Sequence, residues 1–443
     1  MRDSVQFDVH CGDSQPSELN SGASSVIVLV GGSVTKRRLF ESHLKALGCS
    51  EIGIIHLSPQ SVTTAKSPKS PFPWDPCAAV LSVSERFRIL GIVPLVDSAV
   101  GFCDMLCQRM GIAGNDPQTS LHRTDKEEMQ RACRAAGLRN IESVRISSLH
   151  EAISVWQTRF GSGEVVIKPP RSGGCDGVAV CATMVDVSTH VRQQLHKLNL
   201  EKHRNTELVV QEYMCMNSEF VINTVSSGGR HFVTDVWRSA PKRSGDSFIY
   251  DYQELVQDTE RLGNIFDYTK KILDAVGVRH GACHVEVAAS IDTNGCVQDV
   301  VLIEVNARIA GEIRTSNLIS GWDRGDQIFW LLVSLLFPPR LEKLNSLSHT
   351  PVATIAVFLR NLAFAQAALN QSCLEEIRRL ASFSKFGRGL SWANSGANEG
   401  FRIGRTVDLV SSPGVVLLSG PTAAADARQV RLIEANSLYL STL

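Results

Sequence analysis

The chain has 443 residues, 43% of them hydrophobic, enough apolar material for two or three compact units. Its 45 lysines and arginines balance 45 aspartates and glutamates, so bulk charge points to no nucleic-acid partner and no polybasic membrane contact. The 12 cysteines are scattered without a C-x-x-C pair, which excludes a disulfide-stapled secreted framework and fits reduced thiols in a cytoplasmic protein.

Residues 1–24 are polar and mixed in charge, with no apolar signal-peptide core, and read as a disordered leader. Val26 to Val30 reads as a buried strand, stopped by Gly31-Gly32 and followed by a helix from Lys36 to Leu47. Further strands are predicted at Ile52–Leu57 and Gly91–Val96, and the alternation implies a parallel α/β unit over residues 25–118. The Ser-, Thr- and Pro-rich stretch from Ser58 to Pro76 is an expected exposed loop. Gly31-Gly32-Ser33 stands where a dinucleotide fingerprint would begin, but neither G-x-G-x-x-G nor G-x-x-x-x-G-K-[ST] is present, so a tight strand-to-helix turn is expected.

A helix from Asp125 to Ala136 ends at Gly137. Strands then dominate, at 164–168, 177–181, 207–212, 219–226, 231–237, 284–290 and 300–305, with helices near 187–200 and 258–276. The apolar run Ile328–Phe337 is short of the about 20 residues that span a bilayer and reads as a buried helix. Beyond it, strands at 352–359 and 414–419 mix with helices at 373–380 and 423–435.

Three segments carry chemistry. In Glu164-Val-Val-Ile-Lys168-Pro-Pro-Arg-Ser172-Gly173-Gly174-Cys-Asp-Gly177, a lysine ends an apolar strand and a glycine-bearing loop follows. Such a loop can aim backbone N–H groups at a polyphosphate, or it can be a plain hairpin tip; the segment alone does not separate the two. In Leu208-Val-Val-Gln-Glu212-Tyr213-Met214, followed by Glu219, a strand exits into a connector able to offer backbone groups to an adenine edge and carboxylates to ribose hydroxyls. An ordinary sheet connection is the other reading. The third is the most informative: His284-Val-Glu286-Val runs through the turn Thr293-Asn294-Gly295 into Ile303-Glu304-Val305-Asn306-Ala-Arg308, a β-hairpin by pattern. Parity puts Glu304 and Asn306 on one strand face, roughly 6–7 Å apart. With Glu286 on the neighbouring strand, two carboxylates and an amide would converge as hard ligands for Mg²⁺, with Arg308 as a fork for phosphate. A solvent-facing salt bridge is the poorer alternative.

These segments, in this order, resemble the ATP-grasp superfamily, and within it the branch of amino-acid and dipeptide ligases, to which Glu219-Phe-Val-Ile-Asn-Thr-Val and His231 to Arg238 are similar. The resemblance implies an α/β (α+β) ATP-grasp fold: the N-terminal parallel α/β domain, an ATP-grasp domain over 119–330 with subdomains 119–207 and 208–330 clamping ATP, and a C-terminal α+β subdomain over 331–443. It implies Lys126 and Lys168 as nucleotide-binding lysines, Ser172, Gly173 and Gly174 over the phosphates, Glu212, Tyr213 and Met214 at adenine, and Glu219 at ribose. Glu286, Glu304 and Asn306 would hold Mg²⁺ or Mn²⁺, while Arg308 and Lys168 steady the transferring phosphoryl group. Arg238, Glu312 and Arg314 are candidate substrate contacts, the last two standing where related ligases often place apolar or aromatic residues.

The implied activity joins a small carboxylic acid or amino acid to an amine through an acyl phosphate, releasing ADP and phosphate, with a homodimer as the candidate assembly. No G-x-S-x-G elbow or papain-type cysteine segment competes with it. Two alternatives stand: a biotin-dependent carboxylase-type subunit, although no Met-Lys-Met acceptor signature is present, and a non-catalytic ATP-binding regulator.

Overall fold

A computed structural model describes residues 24–57, 80, 83–201, 203–244, 247–311, 326–345, 352–363, 366–387, 390, 402–407 and 411–441. The expected leader up to residue 23, the Ser58–Pro76 loop, and Glu312 and Arg314 lie outside them.

The first sheet is parallel, with β1 (Ser25–Val30) between β2 (Gly53–Leu57) and β3 (Arg88–Pro94). The turn after β1 is as tight as expected. Gly31 and Gly32 take φ of +74° and +77°, and a Cβ on Gly31 would stand 2.5 Å from Val96 Cγ2, so glycine is required there. Ser33 caps α1 (Val34–Ala46) by accepting from Lys36 N. At the far end of β3 the chain passes Asp97 into α2 (Val100–Met110).

Asp125 caps α3 (Lys126–Ala135), its carboxylate accepting from the backbone of Glu127 and Glu128, which leaves Lys126 as the first helical residue. A four-stranded antiparallel sheet follows, β4 (Ser143–Ile146), β5 (Val165–Lys168), β6 (Ala179–Cys181) and β7 (Leu208–Glu212), in the order β4-β7-β5-β6. The helices α4 (Leu149–Thr158) and α5 (Met184–Gln194) bury Trp156, Val187 and Val191 against Ile146, Ile167 and Val210 of its strands. Strand β4 and helix α4 escape the sequence pattern because β4 is four residues, Ser-Val-Arg-Ile, too short to show a period. The helix expected to reach residue 200 stops at Gln194, and the chain turns through His196 at φ +67°.

The second large body is an eight-stranded antiparallel sheet. Its strands are β8 (Ser218–Ser227), β9 (Arg230–Ser244), β10 (Ser247–Leu255), β11 (Gly281–Ile291), β12 (Val297–Asn306), β13 (Thr354–Phe358), β15 (Phe383–Gly387) and β17 (Val415–Ser419), ordered β12-β11-β8-β9-β10-β13-β17-β15. A small sheet of β14 (Gln366–Leu369), β16 (Arg402–Gly404) and β18 (Tyr439–Ser441) flanks its far end. Helix α6 (Gly263–Ala275) covers one face, burying Ile265, Ile272 and Leu273 against Phe220, Val285 and Leu302.

The apolar run near residue 330 is the buried helix α7 (Gln327–Leu336), in one core with Ile27, Leu29 and Val93 of the first sheet and Val225 and Phe232 of the wide one. No helix among the described residues is long and apolar enough to cross a membrane. Asp251 on β10 takes Arg360 (3.1 Å) and Arg431 (2.7 Å), and Glu434 takes the same two arginines, so buried ion pairs tie the last helical segment to the middle of the wide sheet.

Candidate functional site

The hairpin β11–β12 turns at Gly295 (φ +80°), where Asp292 Oδ1 accepts from the backbone N–H groups of Asn294 and Cys296. That turn sets the register: Glu286 stands opposite Glu304, and His284 opposite Asn306. Strand parity then places Glu286, Glu304 and Asn306 together on the face that lines a cleft of about 380 Å³, within the range of small-ligand pockets.

Lys126, at the start of α3, reaches the same spot. Its Nζ donates to Ser172 O (2.6 Å) and Glu304 Oε1 (3.2 Å). Burial alone works to lower the Lys126 pKa, but the Glu304 carboxylate overrides it and the net shift is upward. Glu304 itself is raised, by burial first and by the like charge of Glu286 and Asp97 after it, with Lys126 opposing. With its amide turned so that both ends are satisfied, Asn306 Nδ2 donates to Asp97 Oδ1 (2.9 Å) and Glu304 Oε1 (3.0 Å). Arg308 Nε donates to Asp97 Oδ2 at 2.9 Å.

The opposite wall comes from the four-stranded sheet. β5 delivers Lys168 to the cleft, and the loop after it carries Ser172, Gly173, Gly174 and Cys175. Gly174 and Gly177 take φ of +66° and +67°. Ser172 Oγ donates to Asp176 Oδ2 (2.8 Å), which also accepts from Leu200 N, and Asn199 Nδ2 donates to Arg171 O (2.7 Å), so the 195–206 segment braces the loop from outside. Lys168 is lowered to about 8, first by burial and then by the positive charge of Lys126. Cys175 is raised to about 12, by burial and then by Glu219 and Glu286. The connector Glu212, Tyr213 and Met214 and the acid Glu219 line the cleft beside the apolar side chains of Ile141, Val166, Met216, Ala288 and Ile303.

The donor set suits a hard divalent cation: two carboxylates and an amide oxygen on one sheet face, with the Lys126 ammonium standing against Glu304 where positive charge is wanted. Among the described residues, no group of three or more His, Cys, Asp or Glu forms a metal site by itself.

Of the residues singled out in the sequence, Lys126, Lys168, Ser172, Gly173, Gly174, Glu212, Tyr213, Met214, Glu219, Glu286, Glu304, Asn306 and Arg308 all line this one cleft. Arg238 does not join them. It lies exposed on β9, paired with Glu254 at 2.5 Å. Two residues were missed. Asp97 enters from the end of a parallel strand, the edge at which α/β sheets gather ligands, and that position was its only signal. His284, two residues before Glu286 and so on the same strand face, contacts Glu286 Oε1 through Nε2 at 2.9 Å.

No protein-family model matches the chain. It is 28% identical over 234 residues to dapdiamide A synthase of Enterobacter agglomerans, covering 52% of this chain and 53% of that protein. The chain spans about half the length of the curated relatives it matches. The L-amino acid ligase from Bacillus licheniformis superposes with a TM-score of 0.69 at 15% identity, covering 95% of this chain and 99% of that one. N5-carboxyaminoimidazole synthase from Aspergillus clavatus, in complex with ADP and 5-aminoimidazole ribonucleotide, superposes with a TM-score of 0.63 at 13% identity, covering 93% and 99%.

Proposed function

We propose, from the premise that this chain has the ATP-grasp fold of those solved structures, that it is an ATP-dependent carboxylate–amine ligase. The observation that carries the reading is the convergence of Lys126, Lys168, Glu286, Glu304, Asn306 and Arg308 on one cleft beside those apolar side chains. The likeness to dapdiamide A synthase supports amide-bond formation over other uses of the fold.

Magnesium-bound ATP supplies the phosphoryl group that turns the substrate carboxylate into an acyl phosphate, from which an amine displaces phosphate. The chain's part is positioning and charge neutralisation, the main sources of rate in phosphoryl transfer. Glu212 to Met214 and Glu219 hold the nucleoside end against the apolar wall. The backbone of Ser172 to Gly174 and the ammonium groups of Lys126 and Lys168 meet the phosphates. Glu286, Glu304 and Asn306 hold the metal. Arg308, a rigid planar fork, binds the oxygens on which charge builds during transfer. Arg308 is paired with Asp97, so an anionic substrate that reaches the guanidinium competes with a carboxylate for it.

The complete ligand set weighs against a regulator that has lost catalysis, and the cysteines, none of them disulfide-bonded among the described residues, go with a cytoplasmic location. The test is product analysis. With pairs of amino acids and magnesium, turnover releases ADP and orthophosphate, and hydroxylamine traps the activated acid as a hydroxamate. Stoichiometric AMP and pyrophosphate would remove the protein from this class.

A further inference from the structure

The wide sheet carries a polar row through its interior. On four adjacent strands, Asn306 stands opposite His284, His284 opposite Asn223, and Asn223 opposite Asp235. All four are buried, in a sheet whose flanking positions are Val, Ile, Ala, Cys and Thr. A row of apolar side chains would fill the same positions without the cost of desolvating polar groups, so the row is more than packing.

Asp235 accepts from Asn223 Nδ2 at 2.5 Å, from Thr234 Oγ1 at 2.8 Å and from Trp237 Nε1 at 2.8 Å. Three donors converging on one buried carboxylate leave it a single orientation. Because the Asn223 amide nitrogen is committed to Asp235, its oxygen faces His284, and Oδ1 lies 3.0 Å from Nδ1. An amide oxygen only accepts, so His284 Nδ1 carries a proton. The ring is thereby fixed in plane, and its Nε2 lies 2.9 Å from Glu286 Oε1, so both ring nitrogens face acceptors and the ring donates at both. Glu286 is the acid of the cleft pair that Lys126 does not touch: the Lys126 ammonium holds Glu304, and the row holds Glu286.

We propose that Asp235 and Asn223 are positioning residues that act through His284 to orient the Glu286 carboxylate for the divalent cation of the nucleotide. The proposal rests on the ligase reading of the cleft. It implies that a residue two strands away from Glu286 sets the metal's affinity, as outer partners of a ligating group do elsewhere, with losses of about 10–100-fold when they are removed.

The experiment measures manganese binding to the ADP-bound protein by electron paramagnetic resonance, alongside ADP affinity in EDTA and the melting temperature. Asn223→Leu, similar in size but unable to bridge, is expected to weaken manganese by about 10–100-fold while metal-free ADP affinity stays within about two-fold. Asp235→Asn keeps an oxygen for Asn223 Nδ2 and restores near-native metal affinity. Loss of metal and nucleotide binding in equal measure in Asn223→Leu marks a merely structural role and overturns the proposal, as does unchanged manganese affinity in a folded variant. If Asn223→Leu does not fold, wild-type protein labelled with nitrogen-15 histidine decides instead. Protons on both His284 Nδ1 and Nε2, with an Nε2 resonance that shifts on adding metal to the ADP complex, support the row, and a bare Nδ1 or a bare Nε2 overturns it. Wild-type protein that binds manganese no better with ADP than without it defeats the ligase reading of the cleft itself; native binding with an unaffected Asn223→Leu defeats only the row.

Discussion

The two walls of the cleft solve the same electrostatic problem in opposite ways. Beside the wide sheet the charges are paired within the protein: Lys126 with Glu304, Arg308 with Asp97, His284 with Glu286. On the four-stranded sheet Lys168 makes no ion pair among the described residues, and burial with a neighbouring ammonium holds it at about 8. On the proposed function, one wall would trade partners when a polyphosphate and its metal bind, while Lys168 on the other would gain one. The first arrangement favours a precise geometry for transfer, and the second gives the nucleotide a reason to close the smaller wall over itself.

The comparison breaks most visibly on the wide wall. Glu304→Gln keeps the side chain's shape but removes charge from the metal and from Lys126, and turnover is expected to fall by about 10³-fold or more in steady-state ADP release, with the fold intact by circular dichroism. Arg308→Met should lose turnover to a similar extent yet keep most of its ATP affinity, since a contact that strengthens in the transition state acts chiefly on rate. Wild-type-like turnover in folded Glu304→Gln would leave the metal assignment without its main support.

Lys168 sharpens the comparison through protons. Its pKa is held below the ordinary lysine value of about 10.4, and phosphate charge raises it again, so ATP binding between about pH 8 and 10 takes up protons. Below about pH 8 the amine is already charged and the uptake vanishes. Calorimetry in buffers of different ionisation heat reads the number directly, and Lys168→Met should abolish it while weakening ATP by about 10-fold. Uptake that persists in this variant would transfer the effect to another group.

Smaller effects belong to the loop. Gly177→Ala puts a side chain at φ +67° with its Cβ 2.8 Å from Gln194 Oε1, and is expected to cost about 1–2 kcal/mol in denaturant unfolding. Asn199→Ala removes one outside brace from Arg171 O and should speed proteolysis of the empty loop a few-fold, with protection returning on adding ATP and magnesium.

What could be read in advance follows from the range over which each feature is encoded. The hairpin of Glu286 and Glu304 is local: parity, a Thr-Asn-Gly turn and isolated acids among valines state it within about 25 residues. Lys126, by contrast, sits in a helix whose own pattern says nothing of a cleft, and only the family likeness picked it out. Asp97 meets Arg308 across more than 200 residues of sequence, a pairing that no local period encodes. Strand β10, which brings Ile249 and Tyr250 to the cleft, was passed over because its alternation is broken by Asp251 and Gln253, side chains that answer to Arg431 and Ser239 rather than to water. Glu312 and Arg314 fall outside the described residues, and Arg238 was drawn in by a resemblance that extends past the end of the cleft.

The unbroken hydrogen bonding of the eight-stranded sheet has a mechanical consequence. It runs from β12, which carries Glu304, to β15 near the far edge, with the Asp251 and Glu434 ion pairs clamping its middle to the last helical segment. A hinge within it would have to break a whole strand ladder, so it behaves as an anvil. The four-stranded sheet shares no strand with it and is joined to it along the chain by residues 136–142 before β4 and by the connector after Glu212. Any rotation of the lighter body against the wide sheet would turn about those two chain crossings and carry the glycine loop with it.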